Sequence, residues 1–358
     1  MADWSQPFVA AYRLVRVSRS TLMELGTLPN AVLEGSTITR NVDTTEYESA
    51  TCKVVGSVDV GSDLLRIYLD ATFEDGTTEH VALGTFSVAT PKRDVRGALS
   101  EWEVKLSGRL ADVNEDEFER PVTIPAGSYA VAEAAAILQG CGLDVIYDES
   151  SWQLSADWVV GLGSSDDSPT SKLAVVNQLL SLAGFSSAIT DGYGRALLRQ
   201  YRDPADRAPS LTFAEGVNAR FLTEAEDERD VTDVANVVVA AYSTQDSTTI
   251  GVAYDDDPQS PYSTVTLGRR KVKRYEYNDE ATQVQADAKA TELLRTQQSV
   301  VHRVTLSHVY APVLPTDVVG VEWPTAGISD SFAVRTQSIQ LGAGCLTKSE
   351  LRKFERGY

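Results

Sequence analysis

Few residues of this 358-residue chain have the types and spacing that chemistry needs, and its three histidines come first. His302 and His308 stand an even number of residues apart on one predicted strand and so share a face, but one metal ion would need a third ligand beside them. His80 follows Glu79 at a strand start and is expected to be exposed. All three are expected to be structural or surface residues, and no metal ligand is assigned. Cys52, Cys141 and Cys345 are odd in number and far apart, which excludes a disulfide framework and a cysteine-rich zinc site and suits a reducing compartment. No HExxH, GxSxG or Walker A pattern occurs. Gly161-Leu-Gly163-Ser-Ser165 is glycine-rich but lacks the lysine and the preceding strand of a phosphate loop, and it is read as a linker.

Charge clusters are the remaining chemical resource. Glu224, Glu226, Asp227, Glu228 and Asp230 crowd one segment, and Asp255, Asp256 and Asp257 another. Paired carboxylates about 5–9.5 Å apart in a cleft can hydrolyse glycosides. A calcium loop is excluded at Asp255, because Pro258 and Gln259 fall where ligands and the turn glycine belong. Runs of like charge are usually solvated faces, so no catalytic residue and no cofactor is assigned. Arg269, Arg270, Lys271, Lys273 and Arg274 alternate around Val272, which charges both faces of a strand and predicts exposure. Such a strand could meet an acidic run on a neighbouring subunit or DNA phosphates, and the overall charge favours the former. Trp152 and Trp158 could stack on sugar rings if one strand carried both on one face.

The 32 basic and 51 acidic residues leave a net charge of −19, a poor basis for gripping nucleic acid by its phosphates. At 42% hydrophobic residues the chain is neither disordered nor low in complexity. Its N-terminus, Met-Ala-Asp-Trp-Ser-Gln-Pro, has no basic or apolar signal region, and no apolar run approaches the ~18 residues of a membrane span. A soluble, acidic, multidomain protein is expected.

The first third alternates with period two. Tyr12–Val17 is a strand, and Leu65, Ile67, Leu69, Ala71 and Phe73 share one face. Glu74-Asp-Gly76 supplies a turn, Val81–Val88 returns, and Trp102, Val104 and Leu106 alternate with charged residues. An acidic run through Asp112 and Glu119 marks a boundary. In the middle, Ser128 is expected to cap a helix over 129–139 ended by Gly140. A second helix, about 170–183, is opened by Ser168-Pro169 and closed by Gly184, with Leu173, Val176, Leu179 and Leu180 as its stripe. Ala188–Thr190, the turn Asp191-Gly-Tyr-Gly194 and Ala196–Tyr201 read as a hairpin. The last third is β again: 236–242, 265–277, 300–310, 318–323 and 332–341. Asn278, with Asp279 and Glu280 behind it, is expected to cap a helix to about Gln298. The polar stretch 243–263 reads as an exposed hairpin or loop insertion. Gly84-Thr-Phe86-Ser-Val88 echoes Asp330-Ser-Phe332-Ala-Val334, which suggests two related β modules around a middle domain. The fold class expected is mainly β with an α+β insertion, divided as 1–119, 120–212 and 213–358.

A family resemblance fits this outline. Tyr12-Arg-Leu-Val-Arg-Val17, Leu33-Glu-Gly35-Ser-Thr-Ile38-Thr-Arg40, Glu48-Ser-Ala-Thr51-Cys-Lys-Val54, Leu65-Arg-Ile67 and Leu83-Gly-Thr-Phe86-Ser-Val88 resemble the N-terminal barrel of tail hub proteins of tailed bacteriophages. Lys172–Leu180, Ala183-Gly184-Phe185 and Asp191–Ala196 are similar to the hub's inserted α/β domain. Ala286–Leu294, Leu314-Pro-Thr-Asp317 and Ser331–Val334 resemble its second barrel. The resemblance implies two β-barrel-like hub domains flanking a small α/β domain, the second with one helix at about 279–298. It implies a structural, non-enzymatic homotrimer at the virion tail tip, assembled in the host cytoplasm, that presents a pseudo-six-fold ring to the tail tube. Implied partners are the tail tube or distal tail protein and tip, spike or fibre proteins, while genomic DNA passes through an acidic lumen without specific binding and no membrane insertion is stable. The spike, lysozyme-like and receptor-binding parts of larger hubs are expected on other polypeptides. Competing expectations are a hexameric distal tail adaptor, a glycan hydrolase using the acids at 224–230, and a carbohydrate-binding module.

Overall fold

Period-two sequence folds as period two here: the molecule is mainly β. The computed structural model describes all residues except 1–3, 5, 56–60, 97–98, 162–170, 203–206, 231–233, 244–247, 261, 278–281, 298 and 357–358. Seven strands open the chain: β1 (Phe8–Val17), β2 (Glu24–Thr27), β3 (Ala31–Asn41), β4 (Glu48–Val55), β5 (Leu64–Phe73), β6 (Thr78–Arg96) and β7 (Leu99–Gly108). Next come α1 (Arg109–Glu115), β8 (Val122–Ile124), α2 (Ala130–Gly140), β9 (Val145–Tyr147), β10 (Trp158–Val160), α3 (Lys172–Leu182), β11 (Ile189–Thr190) and β12 (Ala196–Leu198). Then β13 (Leu211–Ala214), β14 (Phe221–Asp230), β15 (Val237–Ser243), β16 (Thr248–Tyr254), α4 (Thr264–Leu267), β17 (Val272–Tyr277), α5 (Gln283–Gln297) and β18 (Ser299–His308) follow. The chain closes with β19 (Val318–Trp323), β20 (Ile328–Gln340) and β21 (Thr347–Arg356). Compactness divides it into two units, Met1–Glu224 with Leu306–Glu350, and Ala225–Thr305 with Leu351–Tyr358. Among the described residues no helix is long and apolar enough to cross a membrane.

In the first unit the strand order runs β21-β20-β3-β4-β7-β6-β5-β1-β2, with β13 and β19 joined beside β20. The apolar face of β5 is buried as its alternation predicts, with Leu65, Ile67, Leu69 and Ala71 fully enclosed. One core takes Leu14 from β1, Ile38 from β3, Ile67 from β5, Leu83 from β6, Leu106 from β7 and Ile339 from β20. Strand β4 adds Ala50, Cys52 and Val54, so seven strands of the sheet share that core. Tyr12 ties β1 to the turn after β20: its Oη donates to Gly342 O at 2.7 Å and accepts from Gly342 N at 3.1 Å. The hairpin β5–β6 turns at Asp75-Gly76, where φ is +83° and a glycine escapes the strain a side chain would meet.

A second core in the same unit belongs to the middle segment. It takes Val131, Ala134 and Leu138 from α2, Val176 and Leu179 from α3, and Leu198 from β12. It also takes Leu110 and Val113 from α1, a helix lying where the acidic run suggested only a boundary. β11 and β12 pair antiparallel as expected, and β12 pairs parallel with β9. The α2 ends differ from expectation. Tyr129, not Ser128, is the N-cap, and the left-handed residue is Gly142, with φ +79°, because Cys141 N still reaches back to Ile137 O at 3.2 Å. Helix α3 is capped by Ser171, whose Oγ accepts from Ala174 N at 3.4 Å; Ser168 and Pro169 lie outside the described residues, as do Leu162–Ser165 of the expected linker.

In the second unit β15 pairs antiparallel with β16 and parallel with β17. Two expectations change here. The polar stretch 243–263 contributes β16 to the sheet, and a Cβ on Gly251 would stand 2.1 Å from the Ala286 backbone, so α5 lies against that strand. The expected strand 265–277 begins instead with α4, capped by Ser263 Oγ on Thr266 N at 3.1 Å and ended by left-handed Gly268, so that β17 starts only at Val272. At α5 the cap observed is Thr282: its Oγ1 accepts from Gln285 N at 3.4 Å, while Gln285 Oε1 accepts from Thr282 N at 2.9 Å. Asn278, Asp279 and Glu280 lie outside the described residues.

Candidate functional site

Several polar residues that the first unit buries, Arg40, Glu48, Arg66, Thr85, Thr190 and Asp191, gather where the middle segment docks on the sheet. Asp191 builds the docking turn. Its carboxylate accepts from Tyr193 N and Arg195 N, both at 3.0 Å, and from Arg195 Nε at 2.8 Å. The turn's carbonyls are left to the sheet: Thr85 Oγ1 donates to Gly192 O at 2.9 Å, and Arg66 Nη2 to Tyr193 O at 3.2 Å. Arg66 Nε also donates to Thr85 Oγ1 at 2.8 Å. This explains why β5 buries Arg66 and Tyr68 on the face that alternation marks as polar. Gly192 is obligatory, since a Cβ there would stand 1.7 Å from Ala82 O.

Beside the turn lies a buried ion pair. Arg40 and Glu48 are each 1% exposed, and Arg40 Nε donates to Glu48 Oε1 at 3.0 Å. Arg40 Nη1 donates to Gln337 Oε1 at 3.2 Å, and Nη2 to Leu83 O. Thr190 Oγ1 donates to Glu48 Oε2 at 3.3 Å, and Gln337 Nε2 to Val313 O at 3.2 Å. Burial pushes the Glu48 carboxyl up to about 7 against the opposing pull of Arg40. All three guanidinium nitrogens and both carboxylate oxygens hold protein partners. The cluster therefore joins β3, β4, β6, β11 and β20, and presents no unengaged group to a substrate.

The residues that the sequence marks for chemistry do not converge. In the second unit His302 Nε2 lies 2.6 Å from Asp227 Oδ1, and Arg303 pairs with Glu228 at 3.5 Å; Glu224–Glu228 are exposed along β14. Asp255 is buried and organises its own loop, accepting from Ser260 Oγ at 2.6 Å and Asp257 N at 3.3 Å. The segment from Arg269 to Arg274 lies on the edge strand β17 and its approach, and all but half-buried Lys271 are exposed. His80, exposed, bonds Asp70 at 2.6 Å. Trp158 is half-buried against the middle core, while Trp152 stands in a loop outside any strand, so the two do not form one stacking face. All three cysteines are free thiols, and burial pushes Cys345 up to about 11. Among the described residues no cluster of three or more His, Cys, Asp or Glu is placed to hold a metal. Missed by sequence reading was the Arg40–Glu48 pair. Its only local signal is two opposite charges at positions where the alternation of β3 and β4 places buried residues.

His308 is enclosed by β18, β21 and Phe213, whose ring lies 4.5 Å away. Its Nδ1 lies 2.7 Å from Val309 O, an acceptor, so Nδ1 carries the proton; Nε2 lies 2.9 Å from Ser349 Oγ. Burial holds the imidazole neutral and pushes its pKa down to about 4, with a lesser raising pull from Val309 O and a lowering push from Arg220. Between about 6.5 and about 4 the unfolded chain takes a proton that the folded one refuses, so stability falls with falling pH, by up to about 3 kcal/mol from this group. His308→Gln is expected to flatten that part of the urea midpoint against pH curve. An unchanged slope would contradict it.

No protein-family model matches the chain, and no curated protein matches it in sequence. Solved structures match it in fold from end to end. A tail protein from Neisseria meningitidis MC58 aligns at TM-score 0.63 over 96% of this chain and 97% of its own, with 12% identity. The 43 kDa tail protein of prophage MuSo2 from Shewanella oneidensis aligns at 0.62 over 97% and 100%, with 9% identity. Prophage tail protein gp18 from Listeria monocytogenes EGD-e aligns at 0.53 over 95% and 94%, with 11% identity. The chain has the fold of prophage tail proteins.

Proposed function

We propose that this protein is a structural, non-enzymatic tail hub, located at the tail tip of a virion and assembled in the host cytoplasm. In this reading it is a homotrimer whose segments 1–119 and 213–358 are two related barrel-like modules on either side of the 120–212 domain. Three chains then offer six modules to a six-fold tube. The observation that carries the proposal is the full-length fold likeness to prophage tail proteins, and the function drawn from it is an inference by analogy. An internal echo supports it. Hairpin β5–β6 places Phe86 opposite Leu65, and hairpin β19–β20 places Phe332 opposite Val319, with both phenylalanines fully buried. The net charge of −19 suits a channel through which DNA slides without sticking. Partners in this reading are the tail tube or distal tail protein at one end and tip, spike or fibre proteins at the other.

Mass photometry at micromolar concentration with micrograph class averages tests this. A three-fold ring with a central opening is expected. Monomer alone, with no ring in the particle, would overturn the proposal; a six-fold ring would make the protein a distal tail adaptor instead.

A further inference from the structure

A cavity of about 310 Å³ in the first unit is lined by four arginines, Arg199, Arg202, Arg207 and Arg335, together with Asp148 and Thr316. In a chain of net charge −19 this is an unusual gathering of cations. Two of the residues that line it also carry unpaired buried atoms. Thr316 Oγ1 and Arg335 Nε are buried with no hydrogen-bond partner among the described residues. Thr316 also adopts φ +81°, a strained conformation for a β-branched residue, and in it presents its carbonyl to Arg207 Nη1 at 2.7 Å. The backbone therefore holds one guanidinium at the cavity wall.

The charge balance narrows the ligand. Arg199 Nη1 pairs with Asp317 at 2.8 Å and Arg335 with Asp43, whereas Arg202 and Arg207 have no carboxylate partner among the described residues. Among the described residues, Asp43, Asp148 and Asp317 offset three of the four arginines, leaving one positive charge in excess. An excess of one matches a singly charged carboxylate better than a dianionic phosphate group, and a guanidinium fork fits the planar oxygen pair of a carboxylate. We infer that this cavity is a binding site for the side-chain carboxylates of an acidic segment of a partner protein. Nothing in the hub reading requires it, and it is testable on the isolated chain whatever the oligomeric state.

The probe is fluorescein-labelled decaglutamate, titrated into the full-length protein and followed by anisotropy. Saturable binding is expected, weakened about tenfold by Arg202→Ala with Arg207→Ala, which is about 1.4 kcal/mol. Arg202→Ala alone removes an exposed side chain and should leave the urea midpoint unchanged while weakening binding about threefold. Arg270→Ala with Arg274→Ala on the basic edge of the second unit should leave binding unchanged. The inference is overturned if decaglutamate does not bind. It is equally overturned if the edge variant rather than the cavity variant loses binding, or if inorganic phosphate displaces the probe at lower concentration than free glutamate does.

Discussion

Arg40→Met is expected to lower the unfolding free energy at neutral pH by about 3–5 kcal/mol, the cost of leaving one member of a buried pair alone. The substitution preserves most of the volume but strips donors from Glu48 Oε1, Gln337 Oε1 and Leu83 O at once. Glu48→Gln keeps the shape and mimics the protonated carboxyl that is about half populated near pH 7, so a smaller loss than that of Arg40→Met is expected. Arg40→Met combined with Glu48→Leu should recover at least about 1 kcal/mol of the summed single losses, because residues in one network do not add. Urea unfolding of the four proteins measures the cycle, and strict additivity would show that the pair is not coupled. The pH dependence gives a second reading. With the folded Glu48 pKa raised to about 7, its contribution is complete below the unfolded value near 4.5 and is lost as pH rises through about 7. That slope should vanish in Glu48→Gln.

Gly192→Ala is expected to cost about 3 kcal/mol or to prevent the middle segment from docking. The new methyl would stand 1.7 Å from Ala82 O, a carbonyl inside the long strand β6, and it would meet Ala82 Cβ at 3.2 Å as well. Neither neighbour is the mobile end of a side chain, so the turn must lift. Lifting breaks the bonds from Thr85 Oγ1 and Arg66 Nη2, and leaves Arg66 buried on β5 without its carbonyl. Gly140→Ala is the control. Nothing lies within 4 Å of its Cβ position and its φ is ordinary, so alanine at the last position of α2 should be neutral or stabilising by up to about 1 kcal/mol. If the two variants unfold at the same urea midpoint, the turn is not a fixed joint.

Local order was legible where side-chain burial and chain period agree. The stripe Leu173, Val176, Leu179, Leu180 announces α3, and all four are buried; Leu182, beyond the stripe, is exposed. Helix α1 was obscured because its two apolar anchors, Leu110 and Val113, lie in an acidic run, although their spacing of three was a usable signal. Strand β16 was hidden by its polar surroundings, though Ile250 and Val252 alternate through it. The segment 265–277 misled because β-branched residues favour strands on average, while Ser263 as a cap and Gly268 as a stop act only on their own neighbours. At the candidate sites, Asp191-Gly-Tyr-Gly194 was readable as a turn but not as a joint. Which carbonyls it offers, and to which strand, depends on residues more than a hundred positions away.

By itself the sequence determined the mainly β class, the helical interruption in the middle and the lack of any recognisable catalytic motif, because alternation, stripes and motif spacing are properties of neighbouring residues. Tertiary structure alone decided that β20 pairs with β3, that Arg40 meets Gln337 across 297 positions, and that four arginines share one cavity. Contacts of that kind are set by how the chain closes on itself, and a local pattern carries no record of which distant strand will arrive.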